Sequence, residues 1–311
     1  MHDPFGFLII DKPAGLTSHD CVHKIRNIFG IKRVGHGGTL DPSVTGVLPL
    51  ALGQATRLFP YLQSDKHYEG IIQLGKCTIS DDLHGEVIST QPWPALDLIS
   101  LEKHLDQFRG SIKQCPPKVS SVHVNGERAY KRARKGESFN LPERTISIHK
   151  LQLLKWDYEC GQLQIYVHCS SGTYIRSLAR DLGNSLGCGG CLASLRRTEA
   201  LGFNEKQALQ LPKTNTELLA LKENLLSPLQ ALYHLPRLQL ITEQELIDWR
   251  TGRKLFVAMT RIEFSNQSKS SLDQPTETSI VITNSSGKIE GIGNWRDSDE
   301  LQPKVVFNAF G

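Results

Sequence analysis

Two neighbouring stretches of the chain, "TISIHKLQLLKW" (145–156) and "QLQIYVHC" (162–169), alternate apolar and polar residues. A period of two belongs to a strand with one buried face, and two such runs in succession read as paired strands. This commits the chain to antiparallel sheet, and further strands fit it. "GFLIID" (6–11) is a short buried strand, "HYEGIIQLG" (67–75) sets Tyr68, Ile72 and Leu74 on one face, and "CLASLRRTEA" (191–200) is extended. Helical spacing lies between them. In "TSHDCVHKIRNIFG" (17–30), Thr17 or Ser18 caps the start, Val22, Ile25, Ile28 and Phe29 form the apolar stripe, and Gly30 is the stop. His19-Asp20 beside that start reads as part of the cap. "LISLEKHLDQFRG" (98–110) is a helix ending at Gly110. "SSGTYIRSLARDLGNSLG" (170–187) is another, with Tyr174, Leu178 and Leu182 on one side. The fold class is therefore α+β, mixed and mainly antiparallel.

From about Leu235 the texture changes. A short helical run, "TEQELIDWRTG", is followed by brief strands, "SIVITN", "KIEGIGNW" and "KVVFN", with the polar stretch 265–279 expected as a mobile loop. The expected organisation is a large domain over 1–234 and a small β-rich domain over 235–311, without internal repeats. Apolar residues at 39% and charged residues at 22% fit a globular chain. The longest apolar runs fall well short of the roughly 18–20 residues that span a bilayer. No basic start precedes the first apolar stretch, so a signal peptide is not expected. Seven scattered cysteines read as reduced thiols and, with these features, as a cytoplasmic protein. Net charge is +4. Residues 118–144 alone hold seven basic and three acidic side chains, a surplus equal to that of the whole chain. Such an excursion suits a phosphate backbone, and a solvated basic loop is the alternative.

"RVGHGGTLDPSVTGVLPLALG" (33–53) isolates one carboxylate, Asp41, among glycines and a proline. The glycines fail the phosphate-loop pattern, which ends in Gly-Lys-Ser/Thr, and Leu40 replaces the third glycine of a dinucleotide fingerprint. They would instead let the backbone approach a bulky ligand. Pro42 keeps Asp41 out of a helix, so a plain Asp-Pro turn remains open at this point. Cys188-Gly-Gly-Cys191 lacks the partner pair a zinc site needs. Asp81-Asp82 reads as a solvated turn before Gly85. Arg176 and Arg180 share a helix face, and either can be a surface charge or turn inward to a carboxylate with a bidentate fork.

Taken in order, "GFLIIDKPAGLTSHD", "RVGHGGTLDPSVTGVLPLALGQATRL", "KHYEGIIQLG", "FRGSIKQCPPKVSSVHVNGERAYKRARKGE", "HCSSGTYIRSLARDLG" and "CLASLRR" resemble the bacterial tRNA pseudouridine-55 synthases, the TruB-type family. The resemblance runs from about residue 5 to residue 200. In "CTISDDLHGE", Ile79 and His84 depart from acids that relatives often carry there.

The resemblance implies a pseudouridine synthase catalytic domain followed by a PUA-like RNA-binding domain, isomerising a uridine in the tRNA T-loop (position 55). It implies Asp41 as the catalytic aspartate and Arg176 as the partner that aims it. Tyr68 would stack on the extruded uracil, Tyr174 and Leu195 would line the pocket, and His36 would touch the RNA loop the base has left. The basic excursion 118–144 would be the thumb. The reaction cuts a bond from ribose to base and rejoins it through carbon, so no cofactor and no metal are expected. The expected partner is the tRNA T-arm, with no membrane, no obligatory protein partner and a monomeric state. Three rivals are an inert RNA-binding or RNA-folding protein, a guide-RNA-dependent synthase and a nucleoside hydrolase. Activity on naked tRNA, and the absence of released uracil, separate them.

Overall fold

The computed structural model describes residues 4–120, 122–124, 126–137, 139–212, 221–264, 277–296 and 299–309. In chain order the first part holds β1 (Gly6–Lys12), α1 (Ser18–Phe29), β2 (Val34–His36), β3 (Thr45–Leu52) and β4 (Lys66–Leu74). β5 (Lys76–Thr78), β6 (Val87–Thr90), α2 (Leu98–Asp106) and β7 (Gly110–Gln114) follow. Next come β8 (His123–Val124), β9 (Glu127–Arg128), α3 (Ala129–Arg134), β10 (Arg144–Asp157), β11 (Gln162–Cys169), α4 (Ile175–Ser185) and β12 (Gly190–Ala200).

One sheet organises this part. Its central order is β1–β3–β12–β4–β11–β10–β7. The alternating pair β10 and β11 is antiparallel, as its pattern requires. β3 shows no alternation because both of its faces are buried. Leu48, Leu50 and Leu52 enter the core beneath α1, α2 and α4, where Ile25, Leu101, Leu105 and Leu178 pack. Val47 and Ala51 point the other way, into a second core with Phe7 and Ile9 of β1. Phe7 is wholly buried there, and its truncation to Ala costs about 3–5 kcal/mol.

That second core is shared with the C-terminal part. β13 (Phe203–Asn204) and β14 (Leu209–Gln210) finish the large sheet. β15 (Arg237–Gln239), α5 (Glu243–Arg250), β16 (Leu255–Phe256), β17 (Glu277–Thr283), β18 (Ile289–Arg296) and β19 (Glu300–Val306) form a separate β-rich unit. Its five strands run in the order β15–β17–β18–β19–β16, around Trp249, Ile280, Ile282, Trp295 and Leu301. Val281, Ile292, Val305 and Phe307 join Phe7 and Val47 across the two sheets. Phe5 meets Phe307 edge to face at 4.9 Å, and Arg57 donates to the Val306 carbonyl at 2.8 Å.

Several local expectations change. α2 stops at Asp106, short of Gly110, because Arg109 leaves the helix to bond the Leu151 carbonyl and Glu102, and Gly110 already pairs with Ile148 in the sheet. The turn at Asp81-Asp82 is not solvated: Asp81 is buried against Arg180 at 2.9 Å. Of the polar stretch 265–279, residues 265–276 lie outside the described residues and 277–279 open β17. The α1 start is a full capping box, Thr17 and Asp20 bonding each other's backbone N–H. All seven cysteines are free thiols, and burial pushes Cys191 up to about 11. No helix among the described residues is long and apolar enough to cross a membrane.

Candidate active site

Asp41 sits in the loop between β2 and β3, and buried polar groups fix that loop from below. Lys12, at the end of β1, is completely buried and donates to the carbonyls of Pro13, Leu16 and Pro42 at 2.8, 2.6 and 3.2 Å. Burial lowers its pKa, and the nearby Asp41 charge works against that shift. Ser18 at the start of α1 accepts the Leu40 N–H at 2.8 Å, and Gly15 N–H reaches the Pro42 carbonyl at 2.9 Å. The peptides on either side of Asp41 are therefore held by residues 12–18. At the far end of the loop, Gly46 has φ +105°, and a Cβ there would lie 2.2 Å from the Arg197 carbonyl oxygen. Only glycine lets β12 pair in parallel with β3 at that position. The expected crowding of Gly37 by a ligand is instead crowding by the chain itself: a Cβ would meet Leu201 at 2.2 Å.

Both arginines turn inward to a carboxylate, and Arg176, in the first turn of α4, is the one that meets Asp41. Its Nε lies 3.0 Å from Asp41 Oδ2, with Arg176 8% exposed and Asp41 40% exposed. The bidentate fork is not formed. Nη1 donates to the Ser80 carbonyl at 2.7 Å and Nη2 to the Val119 carbonyl at 2.9 Å, so one guanidinium ties three segments together. A second carboxylate faces it: Asp82 Oδ2 lies 3.8 Å from Nη1, while its Oδ1 accepts from Ser80 Oγ and the His84 N–H. Arg180, one turn on, serves Asp81, Asp181 and the Cys115 carbonyl instead. Burial raises the Asp81 pKa although Arg180 opposes it.

Above Asp41 opens a cleft of about 250 Å³. Tyr68, Tyr174 and Leu195 line it with Asp41 and Arg176, so five of the six expected site residues converge. Tyr68 projects from β4, its ring buried and its hydroxyl against the guanidinium of Arg197; burial raises the phenol pKa and Arg197 pulls it back. Tyr174 leads into α4, and its backbone is clamped by Gln114, which accepts its N–H at 2.8 Å and donates to its carbonyl at 3.1 Å. Leu195 comes from β12. His36 is the exception, standing on β2 outside the cleft lining. Its Nδ1 accepts the Gly38 N–H at 3.3 Å, and burial, then Arg197, lowers its pKa.

The excursion 118–144 closes one side. Around its β8–β9 hairpin and α3, Val122, Ala129, Phe139 and Leu141 form a small core that packs on Tyr174, and Ser120 reaches the cleft. Arg132 pairs with Glu137 at 2.6 Å and Lys135 with Glu127 at 2.9 Å, while Lys118, Arg128 and Lys131 are exposed.

Three functional groups escaped the sequence reading. Lys12 is flagged only by its place between a buried strand and a proline. Lys66 lines the cleft, its pKa lowered by burial and then by Arg197. Arg197 is fully buried, donating to the Val47 and Gly38 carbonyls at 2.8 and 3.2 Å.

The fold has solved counterparts. A solved H/ACA RNP bound to a substrate RNA containing 2'-deoxyuridine matches 97% of this chain and 85% of its own, with TM-score 0.69 and 22% identity. The archaeal box H/ACA sRNP Nop10-Cbf5 complex gives the same score over 98% and 86%. At that identity they speak for the fold. Residues 26–175 match the model of the TruB family pseudouridylate synthase N-terminal domain, and residues 176–233 that of the tRNA pseudouridylate synthase B C-terminal domain. Relatives called tRNA pseudouridine synthase B are 58% identical in Parasynechococcus marenigrum (strain WH8102), over all of both chains, and 53% in Prochlorococcus marinus (strain MIT 9313), over 99% of each. The chain belongs to the TruB family of pseudouridylate synthases.

Proposed function

We infer that this protein isomerises uridine to pseudouridine in tRNA, and that its target is the T-loop uridine at position 55. The observation that carries the reading is Asp41, open to a cleft that Tyr68 also lines, yet held by the buried Arg176 at 3.0 Å. The reaction is an internal exchange: the bond from ribose C1' to N1 breaks, the base turns, and C1' bonds to C5. The C5 proton is lost and N1 gains one, so the overall change needs neither oxidant nor water. One carboxylate suffices. Asp41 either attacks C1' and is later displaced, or takes the C2' proton to give a glycal that the turned base re-adds to. Uracil leaves as a delocalised anion, so the second acid that glycosidases place on a leaving oxygen is dispensable.

A uridine inside a folded loop must be flipped out, at a cost of a few kcal/mol. Tyr68 and Leu195 offset this by sandwiching the base, and Tyr174 fills the wall beside it. The raised pKa of Tyr68 keeps its hydroxyl protonated at neutral pH, so it acts as a hydrogen-bonding partner during removal of the C5 proton. His36, neutral at that pH, meets the vacated RNA loop through hydrogen bonding and stacking, not charge. The thumb, 118–144, closes on the RNA backbone. Residues 1–234 carry the chemistry, and 235–311 act as a PUA-like RNA-binding domain. The protein works in the cytoplasm as a monomer with the tRNA T-arm.

The test is incubation of purified protein with unmodified tRNA transcript, followed by mapping of pseudouridine by position. We expect one modified site, at position 55. Modification elsewhere overturns the target, and release of free uracil overturns the reaction.

A further inference from the structure

On the face of the sheet opposite the cleft, side chains from four adjacent strands form a row. Glu199 of β12 pairs with His67 of β4, His67 with His168 of β11, and His168 with Lys150 of β10. An irregularity in β10 between Ile148 and Lys150 leaves His149 unpaired in the ladder, and its ring lies 4.8 Å from that of His168. Asp65, just ahead of β4, reaches the same point. Its Oδ2 is 2.9 Å from His168 Nε2 and 3.6 Å from His149 Nε2. Its backbone carbonyl is fixed by the Leu201 N–H at 3.2 Å.

We propose that Asp65, His149 and His168 form a binding site for a divalent transition-metal ion, independent of the catalytic cleft. Their three ligand atoms lie within 4.8 Å of one another. Zinc binds nitrogen and oxygen at about 2.0–2.2 Å, which sets ligand separations on a tetrahedral ion at roughly 3.3–3.6 Å. Asp65 Oδ2 already stands 3.6 Å from His149 Nε2, and rotation of the half-exposed His149 ring brings the two imidazoles together. Two imidazoles and one carboxylate suit zinc and its neighbours, whereas magnesium and calcium take all-oxygen shells. All three side chains are partly solvent-exposed, so water completes the coordination. His67 is a support and not a ligand. Its ring packs at a tilt against His168, centroids 4.1 Å apart, and its Nδ1 is engaged by the Tyr166 hydroxyl at 2.9 Å, with Glu199 at 3.7 Å. The ion would fasten β10 and β11 to the segment entering β4, behind Tyr68.

The test is calorimetric titration of tag-free, EDTA-treated protein with zinc chloride, alongside melting curves with and without the metal. We expect one equivalent bound and a raised melting temperature, with no response to magnesium chloride at the same concentration. His168→Gln and His149→Gln should each weaken binding about tenfold or more, since even outer-shell partners cost roughly 10–100-fold. Because His149 is exposed, its variant keeps the apo melting temperature and isolates the ligand effect. Cys160→Ser, which removes the exposed thiol, should bind as the wild type does. Absence of saturable zinc binding, or unchanged affinity in both histidine variants, overturns the proposal.

Discussion

Replacing Arg176 with Lys keeps the positive charge and removes the geometry. The guanidinium serves Asp41 at 3.0 Å, the Ser80 carbonyl at 2.7 Å and the Val119 carbonyl at 2.9 Å. An ammonium is a point donor and cannot span the three. If it keeps Asp41, two carbonyls lose their donors, each costing about 1–3 kcal/mol when left dry. Water from the open side of the cleft replaces part of that, leaving about 2–3 kcal/mol and a melting point lowered by roughly 4–10 °C. The loss in rate has a different origin. With nothing anchoring the cation, the carboxylate drifts, and a 1 Å misplacement costs on the order of a hundredfold in turnover. Affinity for tRNA should change less than about threefold, because this arginine is engaged inside the protein and adds no phosphate contact. Arg180→Lys is the matched control: from the same helix it disturbs a pair with buried Asp81, while its hydrogen bonds among the described residues go to Asp81, Asp181 and the Cys115 carbonyl, none of them to Asp41. Its turnover should stay within about tenfold of wild type. The assay is single-turnover release of tritium from 5-tritiated uridine in tRNA, run well below either variant's melting point. If Arg180→Lys proves slower than Arg176→Lys, turnover does not depend on the arginine that holds Asp41.

Asp41→Asn preserves shape and should abolish turnover while altering tRNA affinity by less than about tenfold, as measured by filter binding; substantial turnover would remove Asp41 from the chemistry. Neutralising Lys131, Arg132, Arg134 and Lys135 together should flatten the slope of log affinity against log salt by about one to two units, at 0.7–0.9 per phosphate contact. It should not reach the full count, because Arg132 and Lys135 already hold Glu137 and Glu127; an unchanged slope rejects the thumb as an RNA clamp. Lys66→Met should raise the melting temperature near pH 7.5. Burial lowers this amine's pKa in the native state, so the penalty is full below the lowered value and fades as pH rises through it toward 10.5. The gain should therefore shrink as pH approaches 10.5, and an equal gain near pH 7.5 and at pH 10.5 refutes the explanation.

Legibility in the sequence followed the range of each interaction. The α1 cap and the pairing of β10 with β11 rest on neighbours, and both were readable from local pattern. β3 was readable only as an apolar run: buried on both faces, it has no period, and its partners β1 and β12 stand on opposite sides of it in sequence. The turn at Asp81 looked solvated because its partner, Arg180, is 99 positions away. Composition could not choose between Arg176 and Arg180; helix rotation against the loop decides that. Asp41 itself was only an Asp-Pro turn until motif order supplied a role. Lys12 and Arg197 stayed invisible because buried cations bonded to backbone carbonyls leave no charge pattern.

The Asp41 loop also has an assembly order. Its near supports come early, since Lys12 and Pro42 are 30 residues apart. Its far supports do not: Arg197 binds the carbonyls of Val47 and Gly38 across 150 and 159 positions, and β12 seats itself in parallel against Gly46. At 5–20 residues per second, Arg197 is added roughly 8–30 s after Asp41, and the ribosome tunnel extends the delay. Through that interval the nascent chain carries Asp41 without the strand that completes the cleft. Parallel closure over such a span is intrinsically slow, so catalytic competence arrives late in synthesis and in refolding, after the local helices and hairpins have formed.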